Sequence, residues 1–158
     1  YELEKLALYV PPGRKAGSAD VLAVQGAECG ASVFDLADAI GKGKYAQALS
    51  IVEKNLESGE KPLRILGALI WQYRRLWKAK DGLIQGLNET KIARPLSVPP
   101  FKQREFFALV NRFSITHFSH ALKLFIKADS SLKGGIAGSP QRVFHSLIFS
   151  LCNSTRVQ

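Results

Sequence analysis

The sequence has 158 residues, with 22 Lys+Arg against 13 Asp+Glu for a formal net charge of +9, and 46% of it is apolar. That is enough chain to bury a core, as one domain or one domain plus part of another. No apolar run reaches the roughly 18–20 residues that span a bilayer, no signal-peptide pattern opens the chain, and Cys29 and Cys152 give no disulfide framework or zinc spacing, so the sequence reads as soluble and intracellular with reduced thiols.

Charge is unevenly placed. Residues 1–60 hold six Lys+Arg and nine Asp+Glu, a net −3, and residues 61–158 hold sixteen and four, a net +12. A basic second part suits an acidic partner or nucleic acid, or is simply a solvated surface.

The opening "YELEKLALYV" puts Leu3, Leu6, Ala7 and Val10 at helical spacing with no capping residue before them. With no initiator Met, the chain reads as a C-terminal fragment cut inside a helix. "PPGRKAGS" is a loop, Ser18 caps a short helix over Asp20 to Gln25, and "GAECGA" is a break. "SVFDLADAIGKG" then has Ser32 as cap, Asp35 three residues on, and Val33, Leu36, Ala37 and Ile40 on one face. In "KYAQALSIVEKNLESGE", Tyr45, Ala48, Leu49, Val52 and Leu56 form the stripe, and Gly59 ends it. Pro62 starts a long helix reaching about Gln85. A short helix covers Glu89 to Ala93, closed by Pro95. Pro99 and Pro100 open "PPFKQREFFALVNRF", with Phe101, Ala108 and Leu109 around it. Ser114 caps the next helix, whose buried side is Phe118, Ala121, Leu122, Phe125 and Leu132, and Ser139–Pro140 start a final one. No strand-like alternation occurs, so the prediction is all-α: a helical bundle of about five main helices after residue 30.

Chemistry-bearing motifs are few. There is no GxxxxGK[ST], HExxH or GxSxG, and nothing that asks for a metal or cofactor. Asp35 and Asp38 suit the first turn of a helix. His117 and His120 have no third ligand nearby and read as surface or core histidines. Asp129 and Lys133, four apart, form a local ion pair or reach a neighbouring subunit.

The long helix divides by phase, at about 100° per residue. Leu63, Leu66, Leu69, Ile70, Tyr73, Leu76 and Trp77 share a core arc, with Ile65 at its edge. Arg64, Trp71, Arg74, Arg75 and Lys78 share another. Trp71 among these cations is covered by another helix of the domain, anchors a partner, stacks on Arg75, or stacks on a base.

The order of several motifs is more specific than any one of them. "SVFDLADAIGKGKYAQALSIVEKNLESGEKPLRILGALIWQYRRLWKAK", "IARPLSVPPFKQREFFALVNRFS" and "HALKLFIKADSSLKGG" resemble, in sequence order, the C-terminal half of delta subunits of bacterial DNA polymerase III. The resemblance covers residues 32–151, and residues 1–30 resemble the end of the preceding small helical lid domain. It implies residues 1–30 as a lid remnant and 31–158 as an AAA+-like loader's helical collar, a non-ATPase oligomerisation domain. The implied partners are other clamp-loader subunits of the gamma/tau and delta prime type. DNA lies nearby or is weakly bound, the sliding clamp is engaged through a missing N-terminal part, no membrane is involved, and the location is the bacterial cytoplasm. Arg94–Pro95 stands where the family keeps a helix running into a Leu-Gly turn, which implies a shorter local helix. On this reading Phe34, Trp71, Arg74, Arg75, Lys78, Asp129 and Lys133 are the candidate partner-facing or DNA-facing residues. The alternatives are a nucleic-acid-binding helical module built on the basic half, or the collar of a sister loader subunit.

Overall fold

The computed structural model describes residues 32–134 and 139–156. The expectations for residues 1–30, including the lid remnant, lie outside the described residues. Among those described, seven α-helices follow in order: α1 (32–41), α2 (Tyr45–Glu57), α3 (Pro62–Ile84), α4 (Glu89–Ala93), α5 (Gln103–Arg112), α6 (Ile115–Gly134) and α7 (Pro140–Arg156). A 3-10 turn, Pro100–Lys102, precedes α5, so the double proline opens a tighter turn before the α-helix proper begins. No strand occurs among the described residues, which agrees with the all-α prediction.

The helix boundaries have local causes. Pro62 and Pro140 occupy first helical positions, where a missing N–H costs nothing. The Ser114 hydroxyl accepts from His117 N at 3.1 Å, capping α6. Ser32, expected as a cap, is already helical, and its hydroxyl accepts from Asn55 Nδ2 at 2.9 Å, tying α1 to α2. Three helices end in the same turn. In α2, for example, Gly59 N bonds Leu56 O and Glu60 N bonds Asn55 O, with Gly59 at φ 89°. This left-handed closure satisfies the last carbonyls. The stretch after α4 repeats it without a glycine: Ser97 N bonds Arg94 O, Val98 N bonds Ala93 O, and Ser97 takes φ 53°. Ser97 therefore occupies a conformation that disfavours side chains. It also explains why α4 is only five residues long.

α3 is the centre of the bundle. It packs against α6, α5 and α4, while α7 packs against both α6 and α2. The fully buried side chains include Phe106, Phe107, Phe113, Phe118, Phe144, Leu66, Leu69 and Leu76. Neighbours on two flanks widen the core arc of α3 beyond its apolar stripe: Ile65, Ala79 and Gln72 are buried, whereas Leu63 is exposed. Leu122 on α6 is likewise exposed, and Phe101 is 79% exposed on the 3-10 turn. Gly82 lets α4 approach α3, since a Cβ there would lie 2.9 Å from Ile92 Cγ1. On α1, Asp38 pairs with Lys42 and reaches Arg112 Nε at 3.7 Å on α5. Across the bundle, the Tyr45 hydroxyl bonds His145 Nδ1 at 2.9 Å, joining α2 to α7.

Two substitutions test this account by denaturant midpoint. Ser97→Gly should raise stability by about 1 kcal/mol by relieving a left-handed non-glycine residue. Gly82→Ala, normally favourable in a helix, should instead lower stability by about 1 kcal/mol, because overpacking against Ile92 outweighs helix propensity.

Candidate functional site

The basic arc of α3 does not stay together as one patch. Trp71 is 56% exposed, so no neighbouring described helix covers it. The Arg75 guanidinium lies 4.5 Å from the Trp71 ring centroid and 5.4 Å from that of Phe106 on α5. Its Nη2 donates to Leu96 O at 2.9 Å and its Nη1 to Gln72 Oε1 at 3.3 Å. Arg75 is thus a half-buried strut between α3, α5 and the turn after α4, and burial pushes its pKa down from the usual arginine value. The Arg75 Nε and Gln72 Nε2 donors have no partner among the described residues. Arg74 points to the other flank. It lines an apolar groove between α3 and α6 with Ile70, Tyr73, Trp77, Phe118, Leu122 and Phe125, and it is exposed, as is Lys78.

The remaining candidates lie elsewhere. Phe34 on α1 is partly buried against the core. Asp129 and Lys133 pair with each other at 2.7 Å on α6. The structure therefore joins Trp71 to Arg75 and separates them from Phe34 and from the α6 pair. Sequence phasing missed the exposed Phe101 and Phe149. The double proline before Phe101 was the available signal that its side chain stands off the helix.

The most perturbed titratable group is internal. His117, buried at the start of α6, stacks on Phe113 with ring centroids 4.7 Å apart. Its Nδ1 lies 2.9 Å from Ser154 Oγ, and its Nε2 lies 3.3 Å from the Tyr73 hydroxyl. The Ser154 hydroxyl donates to Leu151 O at 2.8 Å. One proton arrangement satisfies all of them: Tyr73 donates to Nε2, Nδ1–H donates to Ser154, and Ser154 donates onward. Burial lowers the His117 pKa to about 4; the hydrogen bond to Ser154 opposes the shift and His120 adds to it. Burial, with a smaller contribution from Cys152, raises the Tyr73 pKa well above 10. Both groups are neutral near pH 7, and they form a packing relay joining α3, α6 and α7. Among the described residues no cluster of three or more His, Cys, Asp or Glu is placed to hold a metal, and no helix is long and apolar enough to cross a membrane.

The described residues thus form an all-α bundle whose central helix carries an exposed aromatic–arginine stack. A family model described as DNA polymerase III delta subunit, C-terminal domain, matches residues 30–151, and the chain belongs to that family. It is 23% identical over 134 residues to the DNA polymerase III subunit delta of Bacillus subtilis (strain 168), covering 85% of this chain and 39% of that protein. The solved structure of the Bacillus subtilis DNA clamp loader delta protein shares its fold with a TM-score of 0.68 at 21% identity, over 96% of this chain and 44% of that one. The chain spans less than half the length of either relative.

The His117 relay predicts a pH dependence with a definite sign. An unfolded histidine binds a proton near pH 6.5, whereas His117 in the fold resists it down to about 4. Its contribution is therefore complete above pH 6.5 and lost as pH falls from there to about 4, a cost of about 2–3 kcal/mol. Urea titrations across this range should show the loss, and His117→Gln should flatten it.

Proposed function

We propose that the chain is the non-catalytic assembly domain of a clamp-loader delta subunit. It joins the helical domains of other loader subunits, of the gamma/tau and delta prime type, into the ring that loads the sliding clamp during replication in the bacterial cytoplasm. Contact with the clamp itself belongs, on this reading, to the part of the delta subunit that this chain does not span.

The observation that carries the proposal is the half-exposed Trp71 held over Arg75. Trp and Arg are the residues most often found as interface anchors. Arg75 is already fixed by Leu96 O, so the stack presents a large apolar face with little side-chain entropy left to lose on binding. Arg74 and Lys78 supply charge to the flanks, and Phe101, 79% exposed just before α5, adds apolar area. Phe34 and the Asp129–Lys133 pair have weaker grounds, one being partly buried and the other satisfied within its own helix. Family membership over 30–151 supports the loader context.

Trp71→Ala is the direct test. Its denaturation midpoint should stay within about 0.5 kcal/mol of the parent, as for a surface position. Its complex with the other loader subunits, followed on a sizing column, should weaken by roughly 10-fold or more. A complex of unchanged strength, or no complex with the parent chain at tens of micromolar, would count against the assignment.

A further inference from the structure

The outward face of α3 is centred on a glycine. At about 100° per residue, Leu63, Gly67, Ile70, Trp71, Arg74 and Lys78 fall within one arc of roughly 100°. Ile70 is partly buried and the other five are exposed. A glycine inside a helix is less favourable than an alanine, so its presence calls for a reason. Gly82 has one within the domain, because Ile92 fills the space its Cβ would take. Gly59 has another, the left-handed φ that closes α2. Gly67 has neither. It lies past the first turn of α3, and a Cβ built there would meet nothing within 4 Å. Its neighbours four residues either side, Leu63 and Trp71, are large and exposed. The row Leu63–Gly67–Trp71 is therefore a ridge with a gap at its middle. The Arg75 guanidinium, 4.5 Å from the Trp71 ring centroid, backs one wall of that gap.

We infer that an amphipathic helix of a partner subunit crosses α3 over Gly67, seating an apolar side chain between Leu63 and Trp71 and setting carboxylates opposite Arg74 and Lys78. The inference rests on the assembly role proposed above and adds to it the crossing point and the chemistry of what crosses. Packed helices lie about 8–10 Å apart, according to the side chains at the contact. A glycine at the crossing lets the two backbones approach to the near end of that range. Leu63, Ile70 and Trp71 supply the apolar surface around it. Charge selects the partner. From Pro62 to Lys80, α3 carries five Lys and Arg and no carboxylate. Arg64 is answered by Glu60 at 3.4 Å, and Arg75 is bound to Leu96 O. Arg74 and Lys78 remain at the margin of the crossing, where acidic residues complement them. A second copy of this chain would bring the same cations face to face, which disfavours it as the occupant.

Substitutions at Gly67 move stability and association in opposite directions, which is the signature to measure. In urea titrations of the 158-residue chain, Gly67→Ala should raise the folding equilibrium constant by about fivefold, the helix-propensity difference at a site with open space. Sedimentation of the same variant with the other loader subunits should show a complex weakened by about fivefold, and Gly67→Gln one weakened by roughly 10-fold or more, because each fills the gap. Ala46→Gln adds similar bulk at an exposed position of α2 and should leave the complex within about twofold. Arg74→Glu should weaken it by roughly 10-fold through like charge at the margin. A complex that forms with the parent chain and is unchanged by Gly67→Gln would overturn the crossing point and leave the assembly role standing. No complex with the parent chain would remove both. A complex tightened by Arg74→Glu would overturn the acidic partner. Self-association of the parent chain that Gly67→Gln abolishes would overturn it too, by making a second copy the occupant.

Discussion

Tyr73 must be buried for α3 to close against α6, and a buried hydroxyl needs a partner. The ring meets Phe125 edge-on at 5.0 Å and lies 5.5 Å from Phe113, while its hydroxyl reaches His117. His117 in turn is fixed by Ser154 on α7. This one polar thread through an aromatic core sets how far α3, α6 and α7 can turn relative to one another. Apolar contacts alone tolerate repacking, whereas a satisfied buried network specifies one arrangement. Surfaces built on those helices, among them the groove beside Arg74, inherit their geometry from it.

Most of the fold was legible because helices announce themselves by period and by punctuation. Pro62 and Pro140 sit where prolines begin helices, and Gly59 sits where a glycine ends one. The order of motifs along the chain carried the family resemblance, which the match over residues 30–151 supports. What periodicity could not supply was the number of neighbours each helix has. A single apolar arc fits a helix with one covered side, but α3 has α6 on one flank and α5 with α4 on another. Gln72 is therefore only 2% exposed although polar, and Leu63 is exposed although apolar. The left-handed Ser97 was also illegible, since that conformation ordinarily calls for glycine.

The candidate site shows the same limit at finer scale. Phasing grouped Arg74 with Arg75, adjacent residues that differ by about 100° around the axis. In the fold that difference sends one guanidinium to the α3–α6 groove and the other under Trp71, bound to a backbone carbonyl. The charges are equal in sequence, yet one is a surface charge and the other part of the framework. Replacing the planar fork of Arg75 with the point charge of a lysine would not be a conservative change.

Two of the contacts that close the bundle span long stretches of chain. Tyr45 reaches His145 across 100 residues, and Thr155 reaches Ile40 O across 115. The helices between them, α3 to α6, pack on one another without help from α7. During synthesis α3 to α6 can form and pack on one another as they emerge, with α1 resting on α5 and α2 on α3, but the flank of α2 that meets α7 stays uncovered until α7 has left the ribosome. In the interval, the α7-facing side of α2 is open to chaperones, and stalled translation within α7 would leave a nearly finished bundle with one side uncovered.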